Sequence, residues 1–207
     1  MIKEKERATR SDKKIDCKPT ISINLKECIY RLSYITNTPV KNVAEEICKA
    51  GIRSRRVIEH LSNHFRRNFR LDSTVYIGDL KRPSLQRIRY RGETDRITIR
   101  FMQQDFELIT ALAYALDVTP SKATAILLES SIKDTNFINR FTRNYISGQL
   151  DQSRMKELKK VLSYINQNNP YEEKISWAAL LSFLYDELKT SANTMTNALN
   201  NWIDKIK

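Results

Sequence analysis

Residues 96–132 read RITIRFMQQDFELITALAYALDVTPSKATAILLESSI, and the spacing of the apolar residues changes partway along this stretch. From Ile97 to Phe101, apolar residues alternate with polar ones, which is typical of a strand with one buried face. From Phe106 to Leu116, apolar residues recur every three or four positions, which predicts a helix with one buried side. The stretch therefore begins as a strand and continues as a helix.

Thr119 and Pro120 predict the start of a second helix, which runs to Ile132. A threonine hydroxyl accepts a hydrogen bond from a free N–H group at a helix start, and proline has no N–H to leave unpaired. The short strand before these helices cannot pair its own backbone. The order strand, helix, helix thus predicts a unit that only a second strand completes.

The same order occurs earlier in the chain. Residues 19–25, PTISINL, alternate like a strand, a helix follows, and Thr38 with Pro39 predicts the start of the next helix. Leu32 corresponds to Leu112 at a spacing of 80 residues. The strands correspond better at a spacing of 76, so the first helix of the earlier copy is expected to be about one turn shorter. An internal repeat of this length predicts that one chain contains both strands.

Each copy is expected to add a third helix, from Ser54 to Phe69 in the first copy and from about Asp134 to Tyr145 in the second. Three amphipathic helices are expected to follow, at 151–167, 171–188 and 191–206. The fold class is therefore predicted to be mainly α. The expected divisions are a flexible basic arm at 1–18, a first copy at 19–70, a linker at 71–95, a second copy at 96–148 and a C-terminal helical region at 149–207.

Within the linker, residues 74–77 and 87–91 are expected to be extended. Gly92 and the three residues after it are expected to turn a hairpin into the second strand.

The net charge of +12 is carried entirely by one half of the chain. Residues 1–100 contain 24 Lys and Arg against 12 Asp and Glu, whereas residues 101–207 contain 12 of each kind. Such a distribution indicates a polyanionic partner, with an ordinary basic solvated surface as the alternative. No apolar run approaches the roughly 18 residues of a membrane span. The absence of an apolar leader and of C-x-x-C spacing predicts a cytoplasmic protein with no membrane partner.

The two strand-helix-helix units, and most clearly RITIRF and TPSKA of the second copy, resemble the ribbon-helix-helix (MetJ/Arc-type) DNA-binding family. The resemblance covers residues 20–52 and 96–132, about a third of the chain. In that family, two antiparallel strands form a ribbon that enters the major groove of DNA. The resemblance implies tandem ribbon-helix-helix units followed by a C-terminal helical region, with pairing either within one chain or between chains. It also implies a double-stranded DNA-binding protein, acting as a transcriptional repressor or as a plasmid transfer or replication accessory factor.

The outward side chains of such a ribbon reach base edges, where arginine suits guanine, asparagine suits adenine, and hydroxyls suit either. Five residues are expected to contact bases: Thr20, Ser22, Asn24, Thr98 and Arg100. Seven residues, at strand ends and helix N-termini, are expected to contact phosphates: Lys26, Thr38, Lys41, Arg96, Thr119, Ser121 and Lys122. An ordinary solvent face and plain helix capping are the alternative interpretations of these residues.

No catalytic motif, metal site or cofactor is expected. His60 and His64 have the spacing of two zinc ligands but lack a third, so they are interpreted as surface residues. Cys28 and Cys48 are expected in the core. Six arginines near the third helix of the first copy either extend the DNA contact or are solvated: Arg53, Arg55, Arg56, Arg66, Arg67 and Arg70.

A helical interaction protein, such as an antitoxin or a scaffold, is the second candidate. Its evidence is the apolar run ISWAALLSFL at 175–184, which is either core or a surface for a second copy or a protein partner.

Overall fold

The computed structural model describes residues 14–88, 91–146 and 152–186, and in these ranges the chain is mainly helical, as predicted. The helices are α1 (Ile23–Thr36), α2 (Val40–Ile52), α3 (Arg55–Ser62), α4 (Gln103–Leu116), α5 (Pro120–Ile132), α6 (Thr135–Ile146) and α7 (Gln152–Asn166). The strands are β1 (Ile15–Cys17), β2 (Thr20–Ser22), β3 (Phe69–Leu71), β4 (Thr74–Tyr76), β5 (Thr94–Arg96) and β6 (Ile99–Phe101). A short 3₁₀ helix covers Leu85–Arg87.

Four of the strands form one antiparallel ribbon with two sides, and each side consists of two short strands in succession. β1 and β2 lie along one side and pair with β6 and β5, respectively, on the other. Cys17 lies opposite Ile99 and Thr20 lies opposite Arg96. The two pairs are therefore three residues apart on both sides of the ribbon. The register is therefore continuous along the ribbon. The two sides come from the two copies, so the strands pair within one chain.

Pro19 explains why the ribbon consists of two hydrogen-bonded segments. Its nitrogen carries no hydrogen to donate to the opposite strand. Its carbonyl oxygen still accepts a hydrogen bond of 3.3 Å from the N–H of Ile97. Pro19 and Ile97 are both buried, as are Cys17 and Ile21 on the same face. This face of the ribbon belongs to the core.

The equivalent helices of the two copies begin 80 residues apart. The pairs of first residues are Ile23 and Gln103, Val40 and Pro120, and Arg55 and Thr135. The same spacing relates the ribbon pair of Asp16 and Arg100 to the pair of Arg96 and Thr20. α1 and α4 both contain 14 residues. The expectation of a shorter first helix, and the spacing of 76 behind it, are therefore wrong.

The first strand ends earlier than predicted because Ser22 starts a helix. Its hydroxyl accepts a hydrogen bond of 3.3 Å from the N–H of Leu25, which satisfies one of the free donors at the helix start. Ile23 and Leu25 therefore belong to α1. The strand predicted at 19–25 is wrong beyond Ser22, and its other half lies upstream at Ile15–Cys17. The last residues of the predicted flexible arm are thus part of the ribbon.

α2 and α5 cross at the centre of the molecule, where equivalent residues of the two copies meet. Gly51 of α2 lies so close to Ser131 that a Cβ atom on Gly51 would be 1.7 Å from the serine hydroxyl oxygen. Ser54 donates a hydrogen bond of 3.1 Å to the carboxylate of Asp134. Both pairs are separated by 80 residues, so the two copies are related as two subunits are around a twofold axis.

The third helix of the first copy is shorter than predicted. α3 ends at Ser62, and Phe65 and Phe69 lie beyond it but are fully buried. Phe69 begins β3, which forms a hairpin with β4. The helical spacing of these two aromatic residues therefore reflects burial in the same core from a loop and a strand.

The linker is partly as predicted. The extended segment expected at 74–77 is confirmed as β4. The segment expected to be extended at 87–91 instead begins at the end of the 3₁₀ helix, and residues 89–90 lie outside the described residues. The hairpin expected at Gly92 is wrong, because β5 pairs with β2 of the first copy.

The C-terminal region contacts both copies: Arg56 of the first pairs with Glu173, and the hydroxyl of Tyr171 donates a hydrogen bond of 3.0 Å to the carbonyl of Ser130 of the second. α7 lies against α1 and buries its apolar side there, including Leu158 and Ile165. The helix predicted at 171–188 begins only at residue 177, because Asn166 holds the backbone of Ile175 through two hydrogen bonds of 2.8 and 3.0 Å. The helix predicted at 191–206 lies outside the described residues. Among the helices that are described, none has the length and apolar character needed to cross a membrane.

Candidate nucleic-acid interface

The side of the ribbon that points away from the helices carries six exposed side chains, one at every second position. They are Asp16, Lys18 and Thr20 on the first strand and Arg96, Thr98 and Arg100 on the second. The residues between them, such as Cys17 and Ile99, are buried. Because side chains alternate between the two faces of a strand, all six lie on one surface, which we call the ribbon face.

The two ends of the ribbon face differ in charge. At one end, Nε of Arg100 lies 3.0 Å from Oδ1 of Asp16, and both side chains are about half exposed. At the other end, Arg96 lies opposite Thr20. Lys18 lies between the two ends. Neither Arg96 nor Lys18 forms an ion pair with any residue in the described part of the chain, so the ribbon face is positively charged overall.

Four predicted contact residues lie on the ribbon face: Thr20, Thr98 and Arg100, which are predicted to contact bases, and Arg96, which is predicted to contact phosphate. Arg96 is the last residue of β5, as its interpretation as a strand-end residue requires, and it also belongs to the outward row. Its position suits it for a base edge as well as for phosphate.

Three other predicted contacts lie off the ribbon face. Ser22 is half-buried and uses its hydroxyl to cap α1, and Asn24 lies in the first turn of α1. The interpretation of Ser22 and Asn24 as outward strand residues is therefore wrong. Lys26 forms an ion pair with Asp95, and the hydrogen bond between them raises the pKa of Lys26.

The start of α5 is built as predicted. The hydroxyl of Thr119 accepts a hydrogen bond of 3.3 Å from the N–H of Lys122. The loop at residues 84–88 also covers this helix end. The side-chain oxygen of Gln86 accepts a hydrogen bond of 2.9 Å from the N–H of Thr119, and the carbonyl of Ile88 accepts one of 2.8 Å from the Lys122 ammonium. Burial lowers the pKa of Lys122. Two predicted phosphate ligands are thus already engaged.

The start of α2 is more open. Pro39, not Thr38, is the N-cap residue, and it offers no side-chain hydrogen bond. The hydroxyl of Thr38 donates to the carbonyl of Thr36 at 3.2 Å, so the interpretation of Thr38 as the cap is wrong. Lys41, the second residue of α2, is exposed.

A cavity of about 370 Å³ separates the start of α5 from the ribbon. Its lining residues are Thr20, Ile88, Gly92, Thr94, Thr119, Ser121 and Lys122. The half-buried hydroxyl of Ser121 lies 3.8 Å from the sulfur of Cys17. The cavity therefore brings three predicted phosphate ligands close to one end of the ribbon face.

The six arginines near α3 serve mostly to join the copies. Arg53 pairs with the buried Asp105, and Arg66 and Arg67 both pair with Asp117 of the second copy. Arg56 pairs with Glu173. Arg55 pairs with Glu59, and Arg70 donates to the carbonyl of Asp72. Because most of these charges are compensated, this cluster does not form a second free basic surface.

The histidines and cysteines form no site in the part of the chain that the structure describes. His60 and His64 lie edge to face with ring centroids 6.5 Å apart, and His60 also contacts Tyr171. Among the described residues, no group of three His, Cys, Asp or Glu side chains could hold a metal ion. Cys28 and Cys48 are buried, as predicted.

Two residues of the ribbon face, Asp16 and Lys18, are absent from the predicted contacts. The signal for them is present in the sequence, since Cys17, Pro19 and Ile21 continue the alternation upstream. The spacing of 80 residues that relates the helices, applied to the strands as well, identifies both residues as outward-facing.

No family model, no curated protein and no solved structure matches this chain.

Proposed function

We propose that the chain is a sequence-specific double-stranded DNA-binding protein of the ribbon-helix-helix type, with two tandem units whose strands form a single ribbon. The observation that carries the proposal is the ribbon face, a row of six exposed polar side chains on a continuous antiparallel ribbon. A two-stranded ribbon fits into a major groove about 12 Å wide, and its outward side chains then reach base edges.

The chemistry of the ribbon face supports base reading. Arg96 and Arg100 can each donate two hydrogen bonds to O6 and N7 of guanine, and the hydroxyls of Thr20 and Thr98 suit several bases. Lys18, at the centre, also suits guanine. A ribbon face of this composition discriminates sequence and does not merely neutralise phosphate.

The helix N-termini support phosphate contacts beside the ribbon. Free N–H groups and the helix dipole favour an anion there. Lys41 is exposed at the start of α2, whereas Lys122 at the start of α5 is bound to the carbonyl of Ile88. Phosphate binding at α5 requires the loop at residues 84–88 to release these groups.

The resemblance to the ribbon-helix-helix family supports a role in gene control or in plasmid transfer or replication. The mode of action is binding without catalysis. The alternative of a helical interaction protein depends on the apolar run at 175–184. Leu180 and Leu184 of this run are buried within the chain, whereas Trp177 and Phe183 are only partly buried and the neighbouring Tyr185 is exposed.

A matched pair of triple variants tests the proposal. Lys18, Arg96 and Arg100 are changed to alanine in one, and Lys156, Lys159 and Lys174, all exposed and off the ribbon, are changed in the other. Both variants lose three positive charges. Each is mixed with random-sequence duplexes and with single strands of the same pool, and the retained DNA is measured.

We expect the unmodified chain and the control variant to retain duplex in preference to single strands. The ribbon variant should retain duplex at least about tenfold less well, because base and phosphate contacts are lost together. Equal losses in the two triple variants, with both folded by circular dichroism, would refute the ribbon as the DNA-binding surface.

A further inference from the structure

The ribbon has the geometry of a symmetric dimer but carries different side chains at equivalent positions. Residues related by the spacing of 80 are Asp16 and Arg96, Lys18 and Thr98, and Thr20 and Arg100. Each pair combines unlike chemistry: a carboxylate with a guanidinium, an ammonium with a hydroxyl, and a hydroxyl with a guanidinium. The backbone is twofold symmetric, whereas the reading surface is not.

The cross-strand pairs give the two ends distinct hydrogen-bonding capacity. At the end formed by Asp16 and Arg100, which we call the aspartate end, the arginine is ion-paired at 3.0 Å. At the end formed by Thr20 and Arg96, the threonine end, the guanidinium faces a hydroxyl across the ribbon. The carboxylate of Asp16 can accept a hydrogen bond from N4 of cytosine. The threonine end contains no carboxylate.

The N-termini of α2 and α5, which lie beside the ribbon, also differ from each other. α5 has a threonine cap and is covered by Gln86 and Ile88, whereas α2 begins at Pro39 without a side-chain cap. The backbone contacts on the two sides of a bound duplex are therefore also unequal.

We infer that a single copy of this chain recognises a DNA site without twofold symmetry, and binds it in one orientation. This inference rests on the proposed function. Two identical subunits require an inverted repeat, because each presents the same side chains to its half of the site. Here one chain supplies both strands, and each end prefers its own base pairs.

The test is a selection from random duplexes with the full chain, followed by the mass of the complex in native mass spectrometry. The selected sequence is then used to compare Arg96→Ala with Arg100→Ala. These substitutions are matched in chemistry and lie at opposite ends of the ribbon face.

The expected result is a non-palindromic sequence and one chain per duplex. Each substitution should relax the preference, by roughly 5- to 150-fold, at base pairs of one end only, and the two substitutions should affect opposite ends. An enriched inverted repeat, or a single substitution that affects two symmetry-related positions, would overturn the inference while leaving duplex binding intact.

Two further outcomes bear on the proposed function as well. Retention of duplex without enrichment of any sequence would overturn the inference and the sequence specificity of the proposed function, and would leave only general duplex binding. Failure to retain duplex in preference to single strands would overturn both.

Discussion

A few carboxylates decide which basic residues of this chain are available to a partner. Asp117 pairs with both Arg66 and Arg67 and so removes two charges from the free surface. Arg96 on the ribbon face forms no ion pair among the described residues. The excess positive charge of the first hundred residues is therefore unevenly available, because single carboxylates neutralise some basic residues and leave others unpaired.

We expect His60 to make the stability of the fold depend on pH. Burial, with smaller effects of the charges on His64 and Lys133, lowers the pKa of His60 below its ordinary value of 6.5. The unfolded chain then binds the proton more readily than the folded chain. The free energy of unfolding is expected to fall as the pH drops through about 6.5, and to level off below the folded pKa.

The His60→Gln variant tests this dependence. Urea denaturation of both proteins between about pH 7.5 and pH 5.5 measures the free energy of unfolding on either side of the histidine titration. The variant should lose less stability than the unmodified chain over this interval. Parallel curves for the two proteins would show that His60 does not contribute to the pH dependence.

At the scale of the elements, the crossing of α2 and α5 holds the two copies in register. Gly51→Ala should destabilise the fold by about 1–3 kcal/mol through overpacking, although the same change in an open helix stabilises it by about 1 kcal/mol. The reason is that the backbone of Gly51 packs against the side chain of Ser131, so that a Cβ atom on residue 51 would lie 1.7 Å from the serine hydroxyl oxygen.

The double variant Gly51→Ala with Ser131→Gly is the control, because it exchanges the small residue between the helices. Thermal and urea unfolding should show partial recovery in the double variant. A Gly51→Ala variant as stable as the unmodified chain would contradict the described crossing.

The helix starts contribute phosphate contacts in the proposed function. Lys41→Ala should weaken binding to every sequence and reduce the slope of log affinity against log salt by about 0.9, the value for one phosphate contact. Lys156→Ala on α7 is the control and should leave the slope unchanged. A loss restricted to one DNA sequence would instead make Lys41 a base-reading residue.

The helices could be predicted from the sequence because their apolar spacing is long enough to be unambiguous. α5 and α7 lie within a residue of their expected positions, and α4 ends at Leu116 as expected but begins at Gln103, three residues before Phe106. The ribbon was harder to place, since PTISINL also fits a strand that continues to Leu25. The hydroxyl of Ser22 decides between the alternatives by capping α1, and this hydrogen bond is visible only in three dimensions.

The partner of each strand could not be predicted from the sequence, because it depends on how the helices pack. Pairing of Thr20–Ser22 with Thr94–Arg96 depends on the crossing of α2 and α5, which brings distant segments together. The sequence indicates that two strands exist in one chain, but the packing of the helices decides that they pair with each other.

At the scale of the whole molecule, the internal repeat gives one chain the two-sided geometry that a dimer otherwise provides. Equivalent residues of the two copies meet in the core, as Gly51 and Ser131 do, whereas equivalent positions on the ribbon face carry different side chains.

Disulfide trapping shows most directly whether the ribbon face enters the major groove, as we propose. Thr98→Cys places an exposed thiol at the centre of the ribbon face, while the three native cysteines are buried. Duplexes carry a thiol tether either on cytosine N4, in the major groove, or on guanine N2, in the minor groove. Ser176→Cys, which is also exposed but off the ribbon, is the control.

We expect Thr98→Cys to form a disulfide with the major-groove tether and not with the minor-groove tether, and Ser176→Cys to form a disulfide with neither. Trapping of Thr98→Cys by the minor-groove tether, or equal trapping of both cysteine variants, would contradict it.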